Sequence, residues 1–289
     1  MPNTAAMLRV LRAAAASTEP LYDSAARLGP RALLRSVAAH RELVALLARR
    51  EVTARYRRAL LGMAWTVITP VAYAAALWAV FSQVAPFVTP GLPYIVYVLA
   101  GVVVLNFVMH AVIATAGEIA SSAVAMRPAY VPVGVFVAAH ALAAMATLAI
   151  TTLVLFAVQI ATDTGIPVSA LGLPLAFALL AIATAGAGAF VGALAVLFTD
   201  ALEMTRVVLS LGALLTPVFY PLTIVPDRYE FIIEVNPIHQ YLLLVRDLAY
   251  GGGWPDAGNV AICVVIAAAA AAAGMLALAR VRRMIPSLV

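Results

Sequence analysis

The 289-residue chain contains no lysine; all 18 of its basic residues are arginine. That absence excludes two chemistries. A Walker A phosphate loop needs a lysine on the nucleotide phosphates, and a Schiff-base enzyme needs one as nucleophile. If ATP drives this protein, another chain must bind it. Cysteine is nearly absent too. The single Cys263 lies in an apolar run, which excludes an intrachain disulfide or thiolate metal site and leaves the role of a small buried hydrophobe. Charged residues make up only 11% of the chain and hydrophobic residues 65%, whereas a soluble domain carries about a quarter charged residues. Mean hydropathy is +1.04. This composition is that of an all-α integral membrane protein, with membrane lipids and no nucleic acid among its expected partners.

A membrane span needs roughly 20 mostly apolar residues. Six segments qualify: about Leu60–Val84, Tyr94–Ala116, Gly134–Ile160, Pro174–Phe198, Val207–Val225 and Asn259–Ala279. Their connectors alternate in charge. The first 58 residues hold eleven arginines, Arg127 and Arg206 fall in later connectors on the same side, and Arg280, Arg282 and Arg283 follow the last span. The opposite loops hold only Arg228 and Arg246, with Asp163, Asp227, Glu230, Glu234, Asp247 and Asp256. Arginines resist translocation, so both termini are expected in the cytoplasm, as an even number of spans requires.

The stretch Leu43–Trp65 is the junction from which orientation is read. Arg49, Arg50, Glu51, Arg55, Arg57 and Arg58 crowd its middle, and the chain then runs uncharged to about Pro86. Upstream, Leu33, Val37, Val44 and Leu47 share a helical stripe with His40, the pattern of a helix lying in the membrane interface. The division expected is a flexible cytoplasmic tail over 1–30, an amphipathic interface helix over 31–58, a membrane domain over 59–285 and a short cytoplasmic end over 286–289. The first 30 residues lack the charged-then-apolar pattern of a cleaved signal.

The connector 226–258 is apolar enough to suggest a further span, yet it holds Glu234, Asn236, His239, Gln240, Arg246 and Asp247. Asn236-Pro237 is a helix start, with Asn as N-cap and Pro at the first helical position, and Gly251–Gly253 is a stop. The helix between them, about 14 residues or roughly 21 Å, is too short to cross. Two readings stand: short re-entrant helices dipping into the outer leaflet, covered by protein or water, or a surface loop.

No span contains Asp, Glu, Arg or Lys. Ion-coupled transporters usually show ionisable groups at membrane depth; here only His110 and His140 are titratable there, and each reads more readily as a structural residue than as a proton relay. A membrane enzyme needs paired acid–base groups, but Glu118, Asp163 and Asp200 stand singly at different span ends. No catalytic, cofactor-binding or metal-ligating set is expected. In span one, Thr66, Thr69, Tyr73 and Gln83 fall on one helical face; from Arg206, just before span five, Ser210, Pro217 and Tyr220 continue one face in the same way. These faces suit either the lining of a path for hydroxyl-rich cargo or helix packing. Gly188 and Gly192 form a GxxxG in span four, which reads as scaffold. The connector 117–133, with Glu118 and Arg127, is a short turn that could dock a cytoplasmic partner.

Three stretches together resemble the polysaccharide class of type-2 ABC exporter permeases, which export O-antigen, teichoic acid or galactan. They are LLARREVTARYRRALLGMAWTVITPV, with Arg55-Tyr56-Arg57, Leu61-Gly62, Trp65 and Pro70; LPYIVYVLAG at the start of span two; and LTPVFYPLTIVPDRYEFIIEVNPIHQYLLLVRDLAYGG. The resemblance covers about residues 31–285. It departs at Leu197-Phe198-Thr199-Asp200, where the family pattern has Arg-Asp. The resemblance implies a half-transporter of the bacterial inner membrane. A second copy of the chain completes the channel, and two copies of an ATP-binding cassette subunit hold the ATP and Mg. A lipid-linked polysaccharide is the implied cargo, with drugs or other lipids as the alternative. Arg49, Arg50, Arg55, Tyr56, Arg57 and Arg58 then belong to a gate helix, and Glu118 and Arg127 to a coupling element.

Overall fold

In a computed structural model, described for residue 35 and for residues 37–56, 61–84, 92–125, 133–222 and 225–284, the chain is helical, with no strand among the described residues. The helices are α1 (Arg41–Tyr56), α2 (Trp65–Val84), α3 (Tyr94–Ala125), α4 (Val133–Ala161), α5 (Leu173–Leu197), α6 (Ala201–Leu215), α7 (Asp227–Glu234), α8 (Pro237–Ala249) and α9 (Ala257–Met284). Single 3₁₀ turns precede α2 and α5, at Gly62–Ala64 and Val168–Gly172. The tail over 1–30, the end over 286–289, and Arg57, Arg58 and Arg127 lie outside the described residues.

Four described helical segments are long and apolar enough to cross a bilayer: Tyr94–Ser121, Gly134–Ala161, Val168–Leu197 and Ala257–Val281. They coincide with expected spans two, three, four and six. The first expected span is α2, 20 residues long and so about 30 Å at 1.5 Å per residue, with a shorter apolar stretch at Trp65–Val80. The fifth differs from the expected Val207–Val225. Helix α6 has 15 residues, about 22 Å, against a hydrocarbon core of about 30 Å. It stops because Pro217 disfavours the helical region for the residue before it. Thr216 accordingly takes φ −89°, ψ 130°.

α3 is the axis of the bundle. Its residues from Val96 to Val112 are largely buried against α5, α4, α2 and α8. Glycine sets the closest approaches around it. A Cβ on Gly188 would stand 2.7 Å from the Thr115 Cβ of α3, and one on Gly186 would stand 2.5 Å from the Ala270 carbonyl carbon of α9. The GxxxG pair thus packs within the chain, as the scaffold reading expects, and Gly186 extends the same role to a second neighbour.

α1 is not an isolated interfacial helix. Val44 and Ala48 are buried against Val135, Ala139 and Ala143 of α4. At the far end of the chain, α8 starts where its sequence says. The Asn236 side chain accepts from the Ile238 N–H at 3.0 Å, with Pro237 in the first turn. The Gly251 N–H donates to the carbonyls of Arg246 and Asp247. A side chain at Gly251 would collide with the Asp247 backbone at 2.8 Å, so glycine is required at that stop.

Candidate functional site

Two polar assemblies interrupt the apolar bundle. The first is a cleft of about 190 Å³ between α1, α2, α3 and α4. Glu51 enters it from α1, Thr66 and Thr69 from α2, Asn106 and His110 from α3, and His140, Thr147 and Thr151 from α4. Trp65 and Phe107 supply aromatic wall. The helices' own carbonyls orient several of these groups. His110 Nδ1 lies 2.8 Å from the Asn106 carbonyl and His140 Nδ1 lies 3.2 Å from the Phe136 carbonyl. A carbonyl only accepts, so in both rings Nδ1 carries a proton. His140 Nε2 then faces Glu51 Oε2 at 3.7 Å, with the side chains 12% and 33% exposed. Thr147 and Thr151 donate to carbonyls one turn back on α4, Ala143 and Thr147, each at 3.2 Å.

The second assembly closes the break after α6. Four consecutive carbonyls, Pro217 to Tyr220, have left the helix, and in a segment this buried they need donors from the protein. Three side chains supply them. Arg246 Nη1 donates to Pro217 at 2.9 Å and Nη2 to Val218 at 3.3 Å. The Tyr97 hydroxyl lies 3.1 Å from the Pro217 carbonyl and 2.8 Å from that of Tyr220, and the Tyr94 hydroxyl donates to Phe219 at 2.7 Å. Arg246 is 9% exposed, and its guanidinium carbon sits 3.7 Å from the centre of the Tyr97 ring. It donates to carbonyls and a phenol, beyond the C-terminus of α6, where the helix dipole favours a cation. Burial, and then Arg246, hold the neighbouring His239 below the usual imidazole range, so the neutral ring adds no second charge. Asn236 completes the closure, its amide donating to the Gly212 carbonyl at 3.2 Å and to Thr216 Oγ1 at 2.9 Å.

The sequence-predicted residues divide between these assemblies and the surface. Thr66 and Thr69 turn into the cleft. Tyr73, on the same helix, instead meets Phe219 edge-on, with ring centroids 6.1 Å apart, and is 50% exposed. The Tyr220 hydroxyl lies 3.3 Å from the Leu214 carbonyl, while Ser210 is exposed and donates to Arg206 on its own helix. Helix α2 carries Gln83, but its side chain lies outside the described residues, as do those of Arg55 and Tyr56 on α1. Arg49 and Arg50 are exposed on α1. Glu118 stands on α3, which continues unbroken to Ala125 through the first half of the expected connector.

Arg246 is the residue that sequence reasoning missed, having counted it as an outer-loop charge. The signal was present: Thr216-Pro217 marks a helix end in an apolar run, and such an end needs donors. The cleft has no comparable local signal.

The family model described as ABC-2 type transporter matches residues 42–250, from the start of α1 through α8. No curated protein matches the chain. With the matched region covering well over half of the sequence, the chain belongs to the ABC-2 type transporter family of membrane permeases.

Proposed function

We propose that this chain is the membrane subunit of an ATP-driven exporter that moves a lipid-linked polysaccharide from the inner to the outer leaflet of the bacterial plasma membrane. In this reading six segments cross the membrane, with α2 and α6 as the first and fifth. Both termini are cytoplasmic, and α7 and α8 are re-entrant on the outer side. A second copy completes the passage. Two ATP-binding cassette subunits hold the ATP and Mg and dock near Glu118 and Arg127, and α1 acts as the gate helix over the entrance.

The observation that carries this reading is the seam between α2 and the break after α6. Tyr73 is half exposed beside Phe219 there, and Tyr220 follows. Aromatic rings offer apolar faces to sugar C–H groups and, in tyrosine, a polar handle. The adjoining α6 buries none of its residues, and Met204 and Leu214 are each 67% exposed. One chain thus leaves this wall unfinished, which suits a passage completed by a second copy.

Depleting the protein in cells and following the membrane distribution of lipid-linked glycan tests this. Accumulation in the cytoplasmic leaflet is expected; normal distribution counts against a glycan cargo. The apolar face of α6 also suits a drug or simple lipid, and accumulation of such a compound without glycan would select that alternative.

A further inference from the structure

Helix α1 is held to the bundle through a small area. Among the described residues it packs mainly on α4, where Val44 and Ala48 meet Val135, Ala139 and Ala143 in a cluster separate from the main core. One ionisable contact crosses the same boundary: His140 Nε2 of α4 faces Glu51 Oε2 of α1 at 3.7 Å. The state of that contact follows from the ring's other nitrogen. His140 Nδ1 lies 3.2 Å from the Phe136 carbonyl and carries a proton there. In a neutral ring Nε2 is then an acceptor, and an ionised carboxylate only accepts. Two acceptors facing each other repel, and their separation is longer than a hydrogen bond of about 2.7–3.2 Å. A proton on Nε2 turns the same two atoms into a charge-assisted donor and acceptor. Glu51 makes a further interaction as well, and nothing more is asked of it here than the approach to His140 it already makes.

We infer that Glu51 and His140 form a proton-binding clasp, which fastens α1 to α4 when the proton is taken up and loosens it when the proton leaves. Imidazole is the side chain whose charge ordinarily changes between about pH 5 and 8. Docking and proton uptake favour each other, so α1 is fastened at low pH and released as pH rises. Few other groups can titrate beside this pair. On α3, His110 faces the cleft, and Glu118 lies about two turns further along. Helices α2 and α5 carry no Asp, Glu, Arg, Lys or His, and α4 carries none besides His140. On α1, Arg49, Arg50 and Arg55 surround Glu51 in sequence, and arginine does not titrate in this range. His40 and Glu42 lie more than two turns before Glu51. Glu51 lines the cleft, so the same proton governs whether α1 closes that wall, whatever the cargo.

Pulsed electron paramagnetic resonance on the full-length chain in detergent tests the clasp. Spin labels go on exposed positions of the two helices, Ala45→Cys and Ile160→Cys, in a Cys263→Ala background. Val44→Ala, which trims the apolar patch, is added to bring docked and undocked α1 to comparable populations. From about pH 5.5 to about pH 8, the docked-to-undocked ratio is expected to fall about fivefold, the size of a partly exposed ion pair. His140→Gln should hold one ratio across this range, because an amide donates to Glu51 without titrating. His110→Gln should keep the response. A ratio that does not change with pH in the labelled parent overturns the clasp, as does a single distance at both ends of the range. So does a response that survives His140→Gln or disappears in His110→Gln. If His140→Gln does not fold, Glu51→Gln decides. Its amide donates to the neutral ring, so docking should no longer weaken as pH rises, and an unchanged response overturns the assignment.

Discussion

The two sides of the bundle are packed by opposite rules. On the α3–α5–α9 side, small residues bring backbones together and leave no space for a side chain. Gly186 faces the backbone of Ala270, Gly188 faces Thr115, and Gly192 faces Ile119, whose Cβ would lie 2.8 Å from an added Cβ. Elsewhere, Thr66 and Thr69 of α2 line an open cleft with Asn106 and His110 of α3, and α6 buries none of its residues. Van der Waals packing must hold a bundle together in lipid, where apolar burial between helices gains little. The glycine side supplies that cohesion. The other side has given up packing for polar groups and uncovered surface, which is where a moving substrate or a second copy can act. Arg246 is the pin between the two, reaching from α8 to the break that ends α6.

That contrast can be broken most severely on the packed side. Gly186→Val places a branched side chain against the α9 backbone, and overpacking of this kind costs about 3 kcal/mol. Loss of folded protein in a thermal unfolding series is expected. Gly117→Ala, where nothing lies within 4 Å of the added carbon, should unfold like the wild type. Next in size is Arg246→Met. It removes one of two donors from Pro217 and leaves the Val218 carbonyl unsatisfied, at a cost of roughly 1–3 kcal/mol. Arg246→Lys should recover only part of this, because an ammonium does not reproduce the planar fork. Unfolding monitored in detergent would show the order wild type, lysine variant, methionine variant.

On the open side the expectation reverses. Tyr73→Ala with Tyr220→Ala should lower transport several-fold, while the unfolding midpoint of the folded subunit moves far less than for Gly186→Val. The smallest effect belongs to Ser210→Ala. Its hydroxyl is exposed and serves its own helix, so a change within about 0.5 kcal/mol is expected, with transport less affected than in the tyrosine pair.

How much of this was legible beforehand follows the range of the interactions. The four long spans are properties of continuous apolar sequence. The start of α8 at Asn236-Pro237 and its stop at Gly251 are written in three or four adjacent residues. The end of α6 was equally local, in Thr216-Pro217, but a hydropathy reading carries an apolar run across a proline. Arg246 escaped because its burial depends on carbonyls about 30 residues upstream in sequence and on Tyr97 in another helix. The cleft escaped for the same reason. Glu51, His110 and His140 come from three helices, and no spacing in the chain announces that they meet. The helical face shared by Thr66, Thr69 and Tyr73 was visible, whereas its division between the cleft and Phe219 depends on what the neighbouring helices present.

The central claim is that the open side transports and the packed side holds. Its most direct test is the rate at which the proposed cargo, a lipid-linked glycan, crosses proteoliposomes containing the chain together with the proposed ATP-binding subunit, for the wild type and for Tyr73→Ala/Tyr220→Ala. Movement that requires ATP and falls several-fold in the variant, with the unfolding midpoint preserved, is expected. Movement by the chain alone without ATP, or an undiminished rate in the variant, would contradict it.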